Sequence, residues 1–456
     1  MSPGFVTKLN RILWTGLLIA AAVTVAAYGL LLITVRHKER DVEQRWASTF
    51  GPMQEFASRF PEVKKNEAAA RIESIVAPLG LPIIPLNTYG DLQRFAPGEW
   101  GAISGSCHHY LEAEFDRLDA VIEPMPPEIS AFLNRHGDAA SSVRNILINE
   151  GPAIWNFSLH GSGERPPNQV GIISIGEWLC LDALSCISNG DHSGCLQDLE
   201  ATWSLEQGIR SRPELVFFGT AVVLAKDRLG VLIKSGMAPP QWADRLKVEP
   251  YRKELQASLQ FEAWRYWTAG RMAADAAYTG RAARGEGWIW KTFGRLWFRL
   301  SMADADAACL DQIEILEKEG WCSSSMAADA DKAARDLPKW GAIGKFGVTR
   351  MSPSWISIQQ LGLELEFARK LFVARDARSS SGKWPAEIPA IEKSDCPGTR
   401  WNYSVNAMGV MTLAYSGFAA RPKRAGRIDL PLIIRDGQLS GCAQTSQAPM
   451  ALRRPS

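Results

Sequence analysis

The stretch SGSCHHYLEAEFD, residues 104–116, places one cysteine, two adjacent histidines and three acids within thirteen positions. His108 and Glu112 stand at i and i+4, a spacing at which two helical side chains can reach one metal ion. A catalytic metal needs a third protein ligand, and no HExxH-type partner lies nearby in the sequence. Leu111, Phe115, Leu118 and Ile122 form one apolar stripe with Cys107 at its edge. His108, Glu112, Asp116 and Asp119 form a second stripe, roughly 90° away by the helical period. With Ser104 or Ser106 as the N-cap, the pattern predicts a helix from Cys107 whose acids face water and suit the positive end of its dipole. The expectation is therefore a solvated helix flank that holds no metal.

Other chemistry-bearing residues are scattered. His160 and Ser162 fall two apart in HGSGERPPN, which reads as a surface loop, since such spacing fixes no mutual geometry. No GxSxG, Walker-type loop, GxGxxG, HExxH or EF-hand pattern occurs. No catalytic, cofactor-binding or metal-binding residue is assigned, no cofactor is expected, and the chain reads as a non-enzyme. The rival reading is an envelope glycan-processing hydrolase using Glu112 and Asp116 with tryptophans as sugar platforms, or a glycan-binding protein.

The elements that would position such groups are mainly helical. Ile12 to Val35 runs without a charge, and at 1.5 Å per residue its 24 positions reach about 36 Å, enough to cross a bilayer. The run extends well past Ala20-Ala21-Ala22, small residues that could serve as a signal-peptidase site, so it reads as an uncleaved anchor. No second segment qualifies on this reading, because LVFFGTAVVLAKDRLGVLI is interrupted by Lys226, Asp227 and Arg228. Lys+Arg (51) and Asp+Glu (49) nearly cancel, which leaves no field to draw nucleic acid. The 17 tryptophans are spread along the chain and read as core filling.

Beyond the anchor, HKERDVEQRWASTF continues the helix until Gly51-Pro52, and PEVKKNEAAARIESIVAPLG holds a short amphipathic helix ended by Pro78 and Gly80. Three helices follow between Val170 and Gly236, the first apolar nearly all round and the third opened by Pro213 in its first turn. Their helix–turn–helix succession is that of stacked, tetratricopeptide-like arrays. Further helices are predicted in MAPPQWADRL, in 249–278 and in 301–320. In GWIWKTFGRLWFRL, Lys291, Arg295 and Arg299 recur on one face beside Trp290 and Trp297, a pattern for a helix lying in a membrane interface or packed on the array. Ser352-Pro353 opens a long helix, and RWNYSV, VMTLAYS and RIDLPLII alternate as three strands. Cys396 with Cys442, and Cys186 with Cys195 astride the Asn189-Gly190-Asp191 turn, are the candidate disulfides.

RFPEVKKNEAAARIE, GIISIGEWLCLDALSCISNGD and the long helix running into GKWP resemble, across roughly residues 1–420, a group of uncharacterised bacterial single-pass membrane proteins without an assigned activity. The order of long helix, GKWP and strands is also similar to the globular part of pseudopilins. Gly4-Phe5 matches their cleavage site, but Leu9 stands where their glutamate is expected. The fold class read from all this is mainly α: an N-terminal tail and transmembrane anchor (1–35), a tetratricopeptide-like helical body (36–350), a long helix with antiparallel strands (351–445) and a tail (446–456). Arg36, Lys38, Arg40 and Arg45 outnumber Lys8 and Arg11, which favours a cytoplasmic body. Eight cysteines favour an oxidising compartment, and long domains cross membranes regardless of flanking charge. The body is accordingly placed in the periplasm, anchored in a bacterial inner membrane. Its role is read as a scaffold or binding protein whose partner is another envelope protein, with no nucleic acid.

Overall fold

The computed structural model describes residues 3–81, 83, 98–117, 121–159, 166–237, 239–283, 293–318, 322, 326–337, 351–416 and 433–436, and of these 3–7, 9, 54, 240, 269–283, 326–327 and 433–436 for their backbone alone. The chain divides into two compact units at Ala368/Arg369. That boundary falls inside a helix rather than at residue 351 as the composition had indicated, because the first half of this helix packs on the body.

In the first unit, α1 (Pro3–Phe50) is unbroken from the apolar run into the charged segment beyond it. Gly51, with φ of +82°, ends it, followed by Pro52 and the single turn α2 (Met53–Phe56). The apolar run is almost bare: Ile12, Leu17 and Val25 are 69%, 62% and 72% exposed. Beyond Arg36 the helix instead buries one side, with Val42 and Trp46 inside the protein. A helix long and apolar enough to span a membrane is thus present at the N-terminus.

Helix α3 (Glu67–Val76) starts where the Asn66 side chain accepts from the Ala69 amide, and α4 (Glu99–Asp116), α5 (Pro127–Arg135) and α6 (Gly137–Asn149) follow. The next three, α7 (Gln169–Ser188), α8 (His192–Arg210) and α9 (Leu215–Ser235), touch one another pairwise. By length and hydropathy α7 also passes as a membrane span, contrary to the expectation of a single such segment, but 67% of its apolar window is buried. It is a core helix. Pro213 stands two residues ahead of α9 rather than in its first turn, and the first amide of α9, that of Leu215, donates to the buried Glu262 carboxylate at 3.2 Å. A Cβ on Gly208 of α8 would overlap the Ala153 carbonyl, so this crossing admits only glycine.

MAPPQWADRL forms only a 3-10 turn at Pro240–Trp242, not a helix. Helices α10 (Glu249–Ala283), α11 (Arg295–Lys318) and α12 (Met326–Arg335) complete the body, together with the first half of α13 (Ser352–Ser381). The tryptophans Trp46, Trp178, Trp242 and Trp355 are fully buried, as core filling requires.

In the second unit, the end of α13 leads through Trp384 to an antiparallel sheet of order β1 (Arg400–Val405), β2 (Met411–Ser416), β3 (Ile433–Asp436). Trp401 and Tyr415 face each other across β1 and β2 with ring centroids 5.2 Å apart, and Met411 and Leu413 share their buried side. The Tyr403 hydroxyl donates to the Pro385 carbonyl at 2.8 Å, which ties the sheet to the GKWP segment. Of the expected strand RIDLPLII, Ile433 and Ile434 lie in β3, and residues 427–432 lie outside the described ones. Cys322 and Cys396 each take part in a disulfide, while Cys186 and Cys195 carry free thiols, so the candidate bridge astride the turn is not made. Cys442 lies outside the described residues.

Candidate functional site

Helix α4 starts at Glu99, two turns before the expected Cys107, with Gly98 as N-cap and no side-chain cap. Glu99 itself takes the ion pairs of Arg135 and His136 (2.7 Å to the latter), which hold α5 against the start of α4. His108 stands between two carboxylates, its Nδ1 3.0 Å from Glu177 on α7 and its Nε2 3.2 Å from Glu112. Among the described residues no group of three His, Cys, Asp or Glu side chains converges as a metal site needs. Asp116 is exposed, whereas Glu114 between the two stripes is buried with Lys234 of α9 at 3.2 Å and Arg117 at 2.5 Å. The periodicity missed Glu114 because the helix is covered on more than its apolar stripe. His160 and Ser162 lie outside the described residues.

The basic aromatic segment also resolves differently from its pattern. Lys291 and Trp290 lie outside the described residues. Arg299 does not face outward: it pairs with Glu39 of α1. Arg295 and Trp297 belong to the first turn of α11 and are half-buried.

What the fold does assemble is a polar ladder opening into a cleft. Arg59, Phe60, Arg210, Arg212, Pro213 and Glu254 line a cleft of about 240 Å³ between the end of α8 and the start of α10. Arg210 is bidentate on Glu254, with Nε at 2.6 Å, and stacks on Tyr251 at 4.5 Å. Behind it Glu206 is completely buried and accepts from the Tyr251 hydroxyl at 2.7 Å and from Arg228 of α9. Trp203 lies under Arg228 and Arg245 at 4.7 and 5.0 Å. On the other wall Arg212 donates to Glu214 at 2.5 Å and to the Asn156 carbonyl, and lies 4.3 Å over Phe217. Arg59, at the mouth, donates to the Phe50 carbonyl at 2.8 Å and rests on Phe56 at 5.2 Å.

The electrostatics follow from burial and pairing. Burial lowers the Arg228 pKa, but Glu206 and Tyr251 outweigh it, and the net shift is upward. Burial and the Glu206 charge push the Tyr251 phenol up, so it stays protonated and donates. Burial also raises Glu254, against the pull of Arg210. Net positive charge is left at the mouth, on Arg59. Such an arrangement can recognise a carboxylate or another planar anion. Glu112 and Asp116 do not line it.

A second buried centre joins α6, α7 and α8: Arg144 donates to Asp198 at 2.6 Å and to Asp182. Burial, then the Asp182 charge, holds the Asp198 carboxyl well above the usual carboxylate range. Arg228 was signalled in the sequence by the charged interruption Lys226-Asp227-Arg228 of an apolar helix, whereas Asp198, in a helix that also carries Glu200, Glu206 and Arg210, had no such signal. Comparison with protein families, curated proteins and solved structures finds no match to this chain.

Proposed function

We propose that this chain is a membrane-anchored, non-enzymatic binding protein of a bacterial envelope, with its helical body on the extracytoplasmic side and its cleft at Arg59 turned to a partner protein. The observation that carries the reading is the continuity of α1. One helix exposes an uncharged run of membrane-spanning length and then, without a break, buries Val42 and Trp46 in the body. The disulfide state of Cys322 and Cys396 supports the oxidising side.

The test has two arms. Full-length protein stays in the membrane pellet after carbonate extraction, while a chain shortened to start at Arg36 is soluble; recovery of intact full-length protein in the supernatant overturns the anchor. For binding, proteins retained from solubilised membranes by the unaltered chain and by Arg59→Glu are compared. A partner lost with Arg59→Glu supports the cleft, and identical sets from both overturn its role.

A further inference from the structure

We infer that the first two turns of α11 sit in the membrane interface beside α1, so that the body meets the bilayer through a parallel helix pair. This rests on the anchored reading above.

The pairing is set by contacts in order along both helices. The Phe293 ring, two residues before α11 begins, meets Tyr28 edge-on at 5.7 Å. Leu296 and Leu300 bury Val35 with Leu31 and Leu32 around them. Further on, Asp304 takes Lys38, and Asp311 takes Arg45 at 2.7 Å. The helices therefore run parallel, and the aromatic start of α11 lies level with Tyr28–Val35, the last third of the uncharged run.

Length decides where that level lies. If the bilayer ended below Tyr28, only Ile12–Ala27 would remain to cross it. Those 16 positions reach about 24 Å, short of the roughly 30 Å hydrocarbon core. Exposure agrees: on the side of α1 away from α11, Leu30 and Ile33 are 67% and 66% exposed, at the height where Leu31 and Val35 are covered. An apolar face left bare beside a packed one fits lipid as its occupant. Phe293, seven residues below Val35, then lies about 10 Å beneath the last uncharged position, the depth of an interfacial aromatic belt.

Arg299 fits the same placement. Asp311 and Arg45 are 266 apart in sequence, whereas Arg299 and Glu39 are 260 apart. The guanidinium thus reaches about six residues, some 9 Å, along α1 toward the wet end, as a snorkelling arginine does.

The test uses the full chain in phosphatidylcholine–phosphatidylglycerol vesicles with a photoreactive side chain at one position at a time: Ile19→benzoylphenylalanine, Phe298→benzoylphenylalanine and Val170→benzoylphenylalanine. Val170, exposed on α7, reports non-specific labelling. Lipid adducts at 298 within about threefold of those at 19, and about tenfold above those at 170, are expected for an interfacial position. Adducts at 19 with 298 at the level of 170 overturn the helix pair and leave the anchor standing. Absence of adducts at 19 overturns the anchored reading, and this inference with it.

Discussion

Arg299 donates from Nε and from one terminal nitrogen to the two carboxylate oxygens of Glu39, at 2.8 and 2.5 Å, and so locks α11 to α1 in one register. Glu39 is nearly buried, so removing its partner strands a charge. Arg299→Leu should cost about 2–4 kcal/mol, while Glu39→Leu with Arg299→Leu should cost clearly less, because the pair's desolvation is then avoided. Denaturant titration of the full chain in mild detergent compares the two; equal losses would mean that the pair is solvated.

The ladder behind the cleft should be more sensitive still. Glu206→Ala leaves Arg228 buried without its carboxylate and should cost about 3–5 kcal/mol or abolish folding. Tyr251→Phe removes the 2.7 Å bond to Glu206 and the 3.2 Å bond accepted from Arg228, and should cost about 1–3 kcal/mol. Unfolding midpoints of the chain starting at Arg36 give both numbers, and a neutral Tyr251→Phe would show that water replaces the hydroxyl.

Asp198 predicts the direction of a pH effect. Burial raises its folded pKa well above the ordinary value, while in the unfolded chain it ionises in the usual carboxylate range. Between those two values the native state holds the extra proton, so this group's contribution falls as pH rises through the window. Asp198→Asn, which keeps an oxygen facing Arg144, should flatten that fall from the ordinary carboxylate range, about pH 4, upward. Unfolding midpoints against pH read this directly, and an unchanged slope would remove Asp198 as its source.

Thiol chemistry gives a fourth check. Burial pushes the Cys107, Cys186 and Cys195 thiols up to about 12, so at neutral pH they lack the reactive thiolate. Iodoacetamide should spare them in the folded chain. Under denaturing, non-reducing conditions it should label Cys107, Cys180, Cys186, Cys195 and Cys309 and leave Cys322 and Cys396. Peptide mass spectrometry distinguishes the sets; alkylation of Cys396 without reductant would place it in a reducing compartment.

Much of the architecture was legible because local rules decide it. The apolar run of α1, the Asn-Gly-Asp turn after α7 and the alternation along β1 all act over a few residues. What escaped was set by distant partners. Glu262 caps α9 from 47 residues away, Glu39 finds Arg299 from 260, and α4 starts early because Glu99 is held by Arg135 and His136. The cleft escaped for the same reason, since Arg59, Arg210 and Glu254 come from three segments that no spacing links. The His108 stripe was legible as a polar flank, although its contact with Glu177 makes it a joint between helices as well.

The unbroken helix across Arg36 also has a mechanical side. A chain with a glycine–proline linker at the bilayer lets its cargo swivel; here the first such break is Gly51-Pro52, after 15 further residues, or about 22 Å of rigid rod. In a bilayer the body therefore keeps a fixed stand-off and a fixed heading, and any rotation of the anchor turns the whole body like a key. On the proposed reading as an anchored binding protein, capture is then a two-dimensional search at constant height, in which a partner meets the cleft only if it also lies near the membrane.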